Sequence, residues 1–270
     1  MLNFCLAAAK ALLKSRRPSP KSDMKDSSLI VMGNGPALRD AIDNHPEWLK
    51  ANHLLAVNFA ANTSEFFSLK PELYVLADPH FFNLPSSDPN VEKLWKNIAR
   101  SDWKMSLWIP ISMRNRLSSL SLPSCITPKF FNLTPGDGKG TLLWRLYDKG
   151  LAMPRPRNVL IPSIMIGIRE GYKKIYLAGA DHTWTRTLSV NDDNRVVSIQ
   201  PHFYKDSDGE LKRVETEYKG LHLHDVLGSM TIAFRSYFEI ADYAKSRGVQ
   251  ILNATPGSFI DAFPRCHPSL

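Results

Sequence analysis

A glycine-containing turn follows an early apolar segment of the chain and suggests phosphate chemistry. Residues 29–32 form a short apolar run, which is typical of a buried strand in a parallel sheet. The turn consists of Gly33, Asn34, Gly35 and Pro36. A helix is predicted over residues 37–42, so backbone N–H groups and the positive end of its dipole would meet at this turn and attract a phosphate. The spacing fits neither the dinucleotide-binding pattern nor the Walker pattern, and an ordinary strand-to-helix turn is the structural alternative.

Polar residues also stand at the ends of three other predicted strands, over residues 53–59, 73–77 and 174–178. They are Asn58, Asp78, His80, Gly179, Asp181 and His182. Ligands of open α/β sheets bind at the carboxyl ends of the strands, so these positions are candidate ligand contacts. Carboxylates are also the ligands that Mg²⁺ selects, which makes Asp78 and Asp181 candidate metal ligands. For Asp181, a helix cap or a contact with a base or ribose is the alternative.

Two histidines close a long polar segment. Residues 183–220 are polar and aromatic, and a loop of this length in a compact domain is usually functional or mobile, so a small lid is predicted over about 183–224. His222 and His224 lie at its end, before a helix predicted over residues 225–247. An imidazole titrates near neutral pH and suits a general base, so His224, and then His222, are the candidate catalytic residues. A surface or structural histidine is the alternative for each.

The remaining patterns predict an α/β protein. Further helices are predicted over residues 91–99 and 159–170, and further strands over residues 104–111 and 249–252. The stretch 115–140 is rich in Ser, Pro and Gly and is predicted to be a long irregular connection, with a turn at TPGDGKGT. This alternation of strands and helices predicts a doubly wound, mainly parallel sheet covered on both faces.

Composition restricts the partners. With 270 residues, one domain over residues 28–270 can bury a large core. The net charge of +8 favours an anionic partner: phosphates, a membrane surface or nucleic acid. Nucleic acid is the weakest of these because no zinc-finger, RRM-like or basic-helix signature is present. The 3 cysteines lack paired spacing, which argues against disulfides or structural zinc and favours a reducing cytoplasm.

The N-terminal segment is basic. Residues 1–22 contain no acidic residue, and their basic residues are Lys10, Lys14, Arg16, Arg17 and Lys21. Their apolar residues are compatible with a short amphipathic helix, followed by a linker to residue 27. Such a helix is a candidate for contact with anionic lipid on the inner face of the cytoplasmic membrane, and a helix docked on the domain is the alternative.

Short motifs spread over residues 29–263 resemble, in order and spacing, bacterial sialyltransferases of the small Campylobacter and Haemophilus type and the related MptE-like proteins (domain of unknown function 115). The motifs are MGNGPAL, AVNFA, LADPHFF, GYKKIYLAGADHTW and YAKSRGVQILNATPGS. The resemblance implies a Rossmann-like, GT-A-variant α/β domain with a small lid. It also implies that the bound nucleotide is a CMP-sugar.

The resemblance assigns roles to individual residues. The phosphate and ribose turn of the family matches Gly33, Asn34, Gly35 and Pro36, with Ala37 where a serine is usual. The nucleotide-side asparagine matches Asn58, and Asp78 replaces a donor-facing asparagine. The turn after the cytosine-side strand matches Gly179 and Asp181. Asn158 and Val159 fall where the family has Thr-Ser-Gly, Arg157 lies near its arginine, and His222 and His224 match its catalytic histidine only with a gap.

Three functions follow from this resemblance. The first is metal-independent transfer of a sialic acid-like nonulosonic sugar from a CMP-sugar to a surface glycan or lipid-linked acceptor, as in polysaccharide biosynthesis. The second is an MptE-like 6-hydroxymethylpterin diphosphokinase that uses ATP and Mg²⁺ through Asp78 and Asp181. The third is a nucleotide-sugar-binding protein without turnover.

Overall fold

A seven-stranded sheet forms the centre of the structure, a computed structural model that describes residues 2–117, 120–198 and 218–268. The strands are β1 (Ser28–Met32), β2 (His53–Val57), β3 (Leu73–Val75), β4 (Met105–Pro110), β5 (Ile126–Phe131), β6 (Lys174–Ala178), the hairpin β7 (Ser189–Val190) and β8 (Val196–Val197), and β9 (Gln250–Asn253). The order in the sheet is β5-β4-β3-β2-β1-β6-β9, and all neighbours are parallel. The doubly wound, mainly parallel, Rossmann-like fold is thereby confirmed.

The strand order reverses its direction at β1. In the centre of the sheet Val31 pairs with Leu55 of β2 on one side and with Leu177 of β6 on the other. The first half of the chain builds the sheet outward from β1 through β2 to β5, and the second half builds it outward through β6 and β9. The chain therefore continues toward opposite sides of the sheet after β1 and after β6, and ligands of open α/β sheets bind in the crevice that forms at the carboxyl edge at such a point.

Helices cover both faces of the sheet. They are α1 (Leu2–Lys14), α2 (Leu38–Asn44), α3 (Pro46–Lys50), α4 (Ser64–Leu69), α5 (Pro89–Ala99), α6 (Arg114–Leu117), α7 (Thr141–Asp148), α8 (Leu160–Glu170) and α9 (Leu223–Ser246). Alternate residues of β1 enter opposite cores: Leu29 and Val31 pack with residues of α7, α8 and α9, whereas Ile30 and Met32 pack with residues of α2, α3 and α5. This explains why β1 is apolar at every position after Ser28.

The prediction of an irregular connection over residues 115–140 is wrong. Strand β5 lies there and pairs with β4 along its whole length, with Pro128 opposite Leu107. A proline within the segment and its mixed burial hide the strand pattern. Proline is tolerated because β5 is at the edge of the sheet, where one side of the strand has no partner strand. The turn predicted at residues 134–141 leads directly into α7.

The N-terminal helix is present and docks on the domain. Ala7 and Ala11 of α1 are buried in the contact with α7, and Ser15 Oγ lies 2.7 Å from Thr134 Oγ1. The following segment runs along β5 and the end of α8, where Ser22 Oγ donates to Glu170 Oε2 at 2.6 Å. Residues 15–27 are thus held against the sheet rather than separating the helix from it. Within the described residues, no helix combines the length and apolar character needed to cross a bilayer.

The segment that is predicted to form a lid is described in part. Residues 184–186 form a 3₁₀ turn, and the β7–β8 hairpin follows. Val196 of this hairpin packs against Val226 and Met230 at the start of α9. Residues 199–217 of the predicted lid lie outside the described residues.

Candidate nucleotide-binding site

A cavity of about 590 Å³ opens at the carboxyl edge of the sheet, and the turns after β1 and β6 form part of its wall. Its wall also includes the turns after β2 and β3, the residues before α8 and the first turns of α9. Every residue predicted to bind a nucleotide lines it: Gly33, Asn34, Gly35, Pro36, Asn58, Asp78, Asn158, Gly179 and Asp181. The parallel strands bring all of them except Asn158 together, because the carboxyl ends of the strands lie at one edge, and Asn158 lies just before α8.

Gly33 and Gly35 allow the turns after β1 and β6 to touch. Gly33 N–H donates to Ala178 O at 2.8 Å, and Gly35 N–H donates to Gly179 O at 2.9 Å. A Cβ atom on Gly33 would lie 2.4 Å from Gly179 O, closer than side-chain carbons approach a backbone oxygen. The two glycines therefore have a packing role that the sequence pattern did not indicate.

The same contacts change the expected phosphate chemistry of the turn. Ala37 N–H donates to Asp181 Oδ1 at 3.3 Å, Leu38 N–H donates to Gly35 O at 3.0 Å, and Pro36 has no N–H. Four amides at this turn, those of Gly33, Gly35, Ala37 and Leu38, are therefore already hydrogen-bonded within the protein, and the phosphate contact of the turn stays a prediction.

The two carboxylate oxygens of Asp181 differ in their hydrogen bonding. Oδ1 accepts from Ala37, whereas Oδ2 has no hydrogen-bond partner among the described residues. Burial raises the pKa of this carboxyl because it disfavours the charged form. A ligand hydroxyl that donates to Oδ2 would satisfy this oxygen.

Asp78 lies at some distance from Asp181. It is exposed, and its Oδ1 accepts from His80 N–H at 2.8 Å. Asp78 follows β3 and Asp181 follows β6, which are separated by β2 and β1. Neighbouring strands lie about 4.8 Å apart, so the ends of β3 and β6 are about 14 Å apart. Direct coordination of one Mg²⁺ by both carboxylates is therefore unfavourable, and no group of three or more His, Cys, Asp or Glu side chains in the described residues forms a candidate metal site.

Asn158 caps the helix that borders the cavity. Its Oδ1 accepts from Leu160 N–H at 3.0 Å and Ile161 N–H at 3.4 Å. The preceding residue, Arg157, is the sole Lys or Arg in the cavity wall among the described residues. Its guanidinium is exposed and forms no ion pair within the described part of the chain. Arg157 is thus positioned to bind an anionic ligand group.

The structure does not bring the two candidate catalytic histidines into the cavity wall. The neighbouring residues Leu221 and Asp225 line the cavity, but His222 and His224 do not. The side chain of His224 is 81% exposed, and its Nε2 lies 3.4 Å from Asp225 Oδ1. His222 is the N-cap residue of α9, and its N–H donates to Asp225 Oδ2 at 3.0 Å.

One wall of the cavity was not anticipated from the sequence. It is formed by Asp225, Val226, Ser229, Met230 and Ala233, all on α9. Their spacing follows the helical period, so the sequence contained a signal for one face of a helix. It did not contain a signal that this face meets the sheet edge at the cavity.

Comparison with known proteins gives a similarity at the level of structure and none at the level of sequence. No protein-family model and no curated protein sequence matches the chain. Among solved structures, a MAf glycosyltransferase from Magnetospirillum magneticum AMB-1 is similar over 98% of this chain, with 11% sequence identity and a TM-score of 0.47. The chain spans 38% of the length of that protein. The similarity is too low to transfer any residue role.

Proposed function

We propose that the protein is a glycosyltransferase that uses a nucleotide-sugar donor. The observation that carries this proposal is the convergence of all the predicted nucleotide-binding residues on one cavity at the point where the strand order reverses. Open α/β sheets bind ligands at this point. The motif resemblance to sialyltransferases supports a nucleotide-sugar as the ligand, since the same residues carry the resemblance.

A CMP-activated nonulosonic acid is the proposed donor. The CMP leaving group carries one phosphate, and the cavity wall contains one described cation, Arg157. The described acidic residues of the wall are Asp78, Asp181 and Asp225. A diphosphate transfer would need more positive charge or a metal to neutralise its leaving group. The single described cation matches the one phosphate of CMP better than a diphosphate, which supports the CMP-sugar over the diphosphokinase alternative. Asp181 Oδ2 is the proposed acceptor for a ribose hydroxyl.

The proposed general base is His224, with His222 as the second candidate. The base must take a proton from the acceptor hydroxyl, and the start of α9 borders the cavity through Leu221 and Asp225. An acceptor, proposed to be a surface glycan or its lipid-linked precursor, would reach both the donor and these histidines from this side.

We propose that the protein contacts the inner face of the cytoplasmic membrane through helix α1. Leu12 and Leu13 are 84% and 76% exposed, beside the exposed basic residues of the same segment. Arg16 N–H donates to Asn132 Oδ1, just after the carboxyl end of β5. The end of α1 therefore lies at the edge of the sheet that carries the cavity, as contact with a lipid-linked acceptor requires.

Calorimetric titration with CMP, CTP and ATP, each with and without Mg²⁺, tests the proposal. We expect CMP to bind independently of Mg²⁺, and Arg157→Gln to weaken CMP binding while the exposed control Arg145→Gln does not. CMP release from CMP-N-acetylneuraminate in EDTA then measures turnover. Binding of ATP with Mg²⁺ but not of CMP would favour the diphosphokinase. CMP-sugar binding without turnover on any acceptor would favour the non-catalytic alternative.

A further inference from the structure

His182 occupies an unusual backbone position in the cavity wall. It lies just beyond β6 and lines the cavity, with a side chain that is almost completely buried. Its φ is 51°, in the left-handed region that residues other than glycine rarely adopt. Such conformations persist where the surrounding structure enforces them, and they cluster at ligand sites.

A chain of hydrogen bonds fixes the position of the proton on the His182 ring. Asn158 Oδ1 accepts from two backbone N–H groups at the start of α8, so this atom is the amide oxygen. Tyr237 Oη lies 3.0 Å from that oxygen and must donate its proton to it. Burial raises the pKa of Tyr237, so its proton is retained. His182 Nε2 lies 2.7 Å from the same Tyr237 oxygen and must therefore donate to it.

The ring is neutral, and its second nitrogen is an acceptor. Nε2 carries the proton, so Nδ1 has a lone pair, and no described residue donates a hydrogen bond to it. Trp184 covers the ring with a centroid distance of 4.1 Å and an interplanar angle of 31°. Burial lowers the pKa of His182 to about 3 because it disfavours the imidazolium. The side chain is thus a weak proton acceptor but a good hydrogen-bond acceptor.

We propose that His182 Nδ1 accepts a hydrogen bond from a hydroxyl group of the sugar in the cavity, with Tyr237 and Asn158 as positioning residues. The inference rests on the proposed function because it assumes a nucleotide-sugar ligand. His182 lines the cavity while its Nε2 is bound to Tyr237 and its ring packs on Trp184, which leaves Nδ1 as its remaining polar atom. A neutral imidazole held in one tautomer accepts a hydrogen bond from an uncharged group such as a hydroxyl. It does not act as the general base that takes the proton of the acceptor hydroxyl.

Nitrogen-detected NMR of histidine-labelled full-length protein tests the tautomer. We expect His182 to be in the neutral Nε2–H form at pH 7. Tyr237→Phe should reduce this preference because Nε2–H loses its acceptor. Tyr243→Phe is the matched control, since Tyr243 lies on the same helix but donates to Asp148, away from the cavity. A charged ring or an Nδ1–H tautomer in the wild type would overturn the inference.

Affinities for CMP and CMP-N-acetylneuraminate test the sugar contact. His182→Phe should leave CMP binding unchanged and weaken the additional affinity due to the sugar by about 2- to 10-fold, the usual value of one hydrogen bond. His182→Asn should retain part of that affinity, because its amide oxygen can replace Nδ1 and asparagine tolerates a positive φ. If the sugar adds the same affinity in both variants and in the wild type, the His182 contact is wrong, but the proposed function is not affected. Absence of any CMP binding by the wild type would overturn the proposed function as well.

Discussion

Gly35 and Asp181 are in direct contact across the junction of β1 and β6. A Cβ atom at Gly35 would lie 1.9 Å from Asp181 Oδ2 and 2.7 Å from Gly179 O. The absence of a side chain at Gly35 therefore places the carboxylate at the start of α2, where Oδ1 accepts from Ala37 N–H. Two turns that are far apart in the sequence form one wall of the cavity through this contact.

Gly35→Ala is expected to reduce the free energy of unfolding by about 1 to 3 kcal/mol, because the new methyl group displaces Asp181 and crowds a backbone oxygen. Urea unfolding measures this. Gly228→Ala is the control: a Cβ there meets nothing within 4 Å, so the better helix former should stabilise α9 by about 0.5 to 1 kcal/mol. In the double variant with Asp181→Ala, part of the Gly35→Ala loss should disappear. An unchanged stability of Gly35→Ala would contradict the close contact.

The catalytic prediction for the lid histidines remains to be tested. His224→Ala, or failing that His222→Ala, should reduce CMP release by about 10²- to 10⁴-fold with little loss of donor affinity, because a general base acts on the transition state. The control is His267→Ala, an exposed histidine outside the cavity wall. The assay contains EDTA. If EDTA alone abolishes release, the magnesium mechanism replaces this one; if neither variant slows release tenfold, the base is another residue.

Helix α1 should bind anionic membranes. Sedimentation with vesicles of phosphatidylglycerol and phosphatidylcholine is expected to show binding that weakens with salt, since each basic residue near an anionic surface contributes about 1 kcal/mol. The double variant Leu12→Gln, Leu13→Gln should bind less with little change in unfolding, as both side chains are exposed. Leu142→Gln, an exposed leucine of α7, is the control. Equal binding of wild type and double variant at low salt would exclude this surface.

The buried carboxyl of Glu239 is expected to make the free energy of unfolding depend on pH. Its side chain is buried on α9, Oε2 has no partner among the described residues, and burial raises its pKa from 4.5 to about 7. The folded protein thus binds this proton more tightly than the unfolded chain, so the contribution to stability is lost as the pH rises from 4.5 through 7. Glu239→Gln should therefore increase the free energy of unfolding by about 1 to 3 kcal/mol at pH 8 and change it little at pH 4.5.

Chemical unfolding at the two pH values measures this difference. Asp242→Asn on the same helix is the control, because Asp242 is partly exposed and its ion pair with Lys139 lies at the surface. We expect a change within about 1 kcal/mol for it. A Glu239→Gln effect that is equal at both pH values would show that the carboxyl is not perturbed.

Most of the sheet and the part of the cavity wall at the strand ends were accessible from local patterns. β1, β2 and β6 are short segments that are apolar after their first residue, and polar residues such as Asn58 and Asp181 follow them closely. Because parallel strands share one carboxyl edge, recognition of the strands was enough to predict that these residues converge. β5 was missed because Pro128 and exposed polar residues interrupt its pattern. An edge strand tolerates both, since it is paired and covered less completely than a central one.

The sequence by itself determined the alternation of most strands with helices, the doubly wound class and the polar residues that follow β1, β2, β3 and β6 in the cavity wall, since each depends on neighbours within a few positions. Only the tertiary structure decided that the amides of Gly33 and Gly35 are already hydrogen-bonded, and that Tyr237 fixes the tautomer of His182. The His182–Tyr237 contact joins residues 55 positions apart. The pairing of hydrogen-bond donors with acceptors over such separations depends on how the helices pack on the sheet. No local pattern of residues encodes this packing.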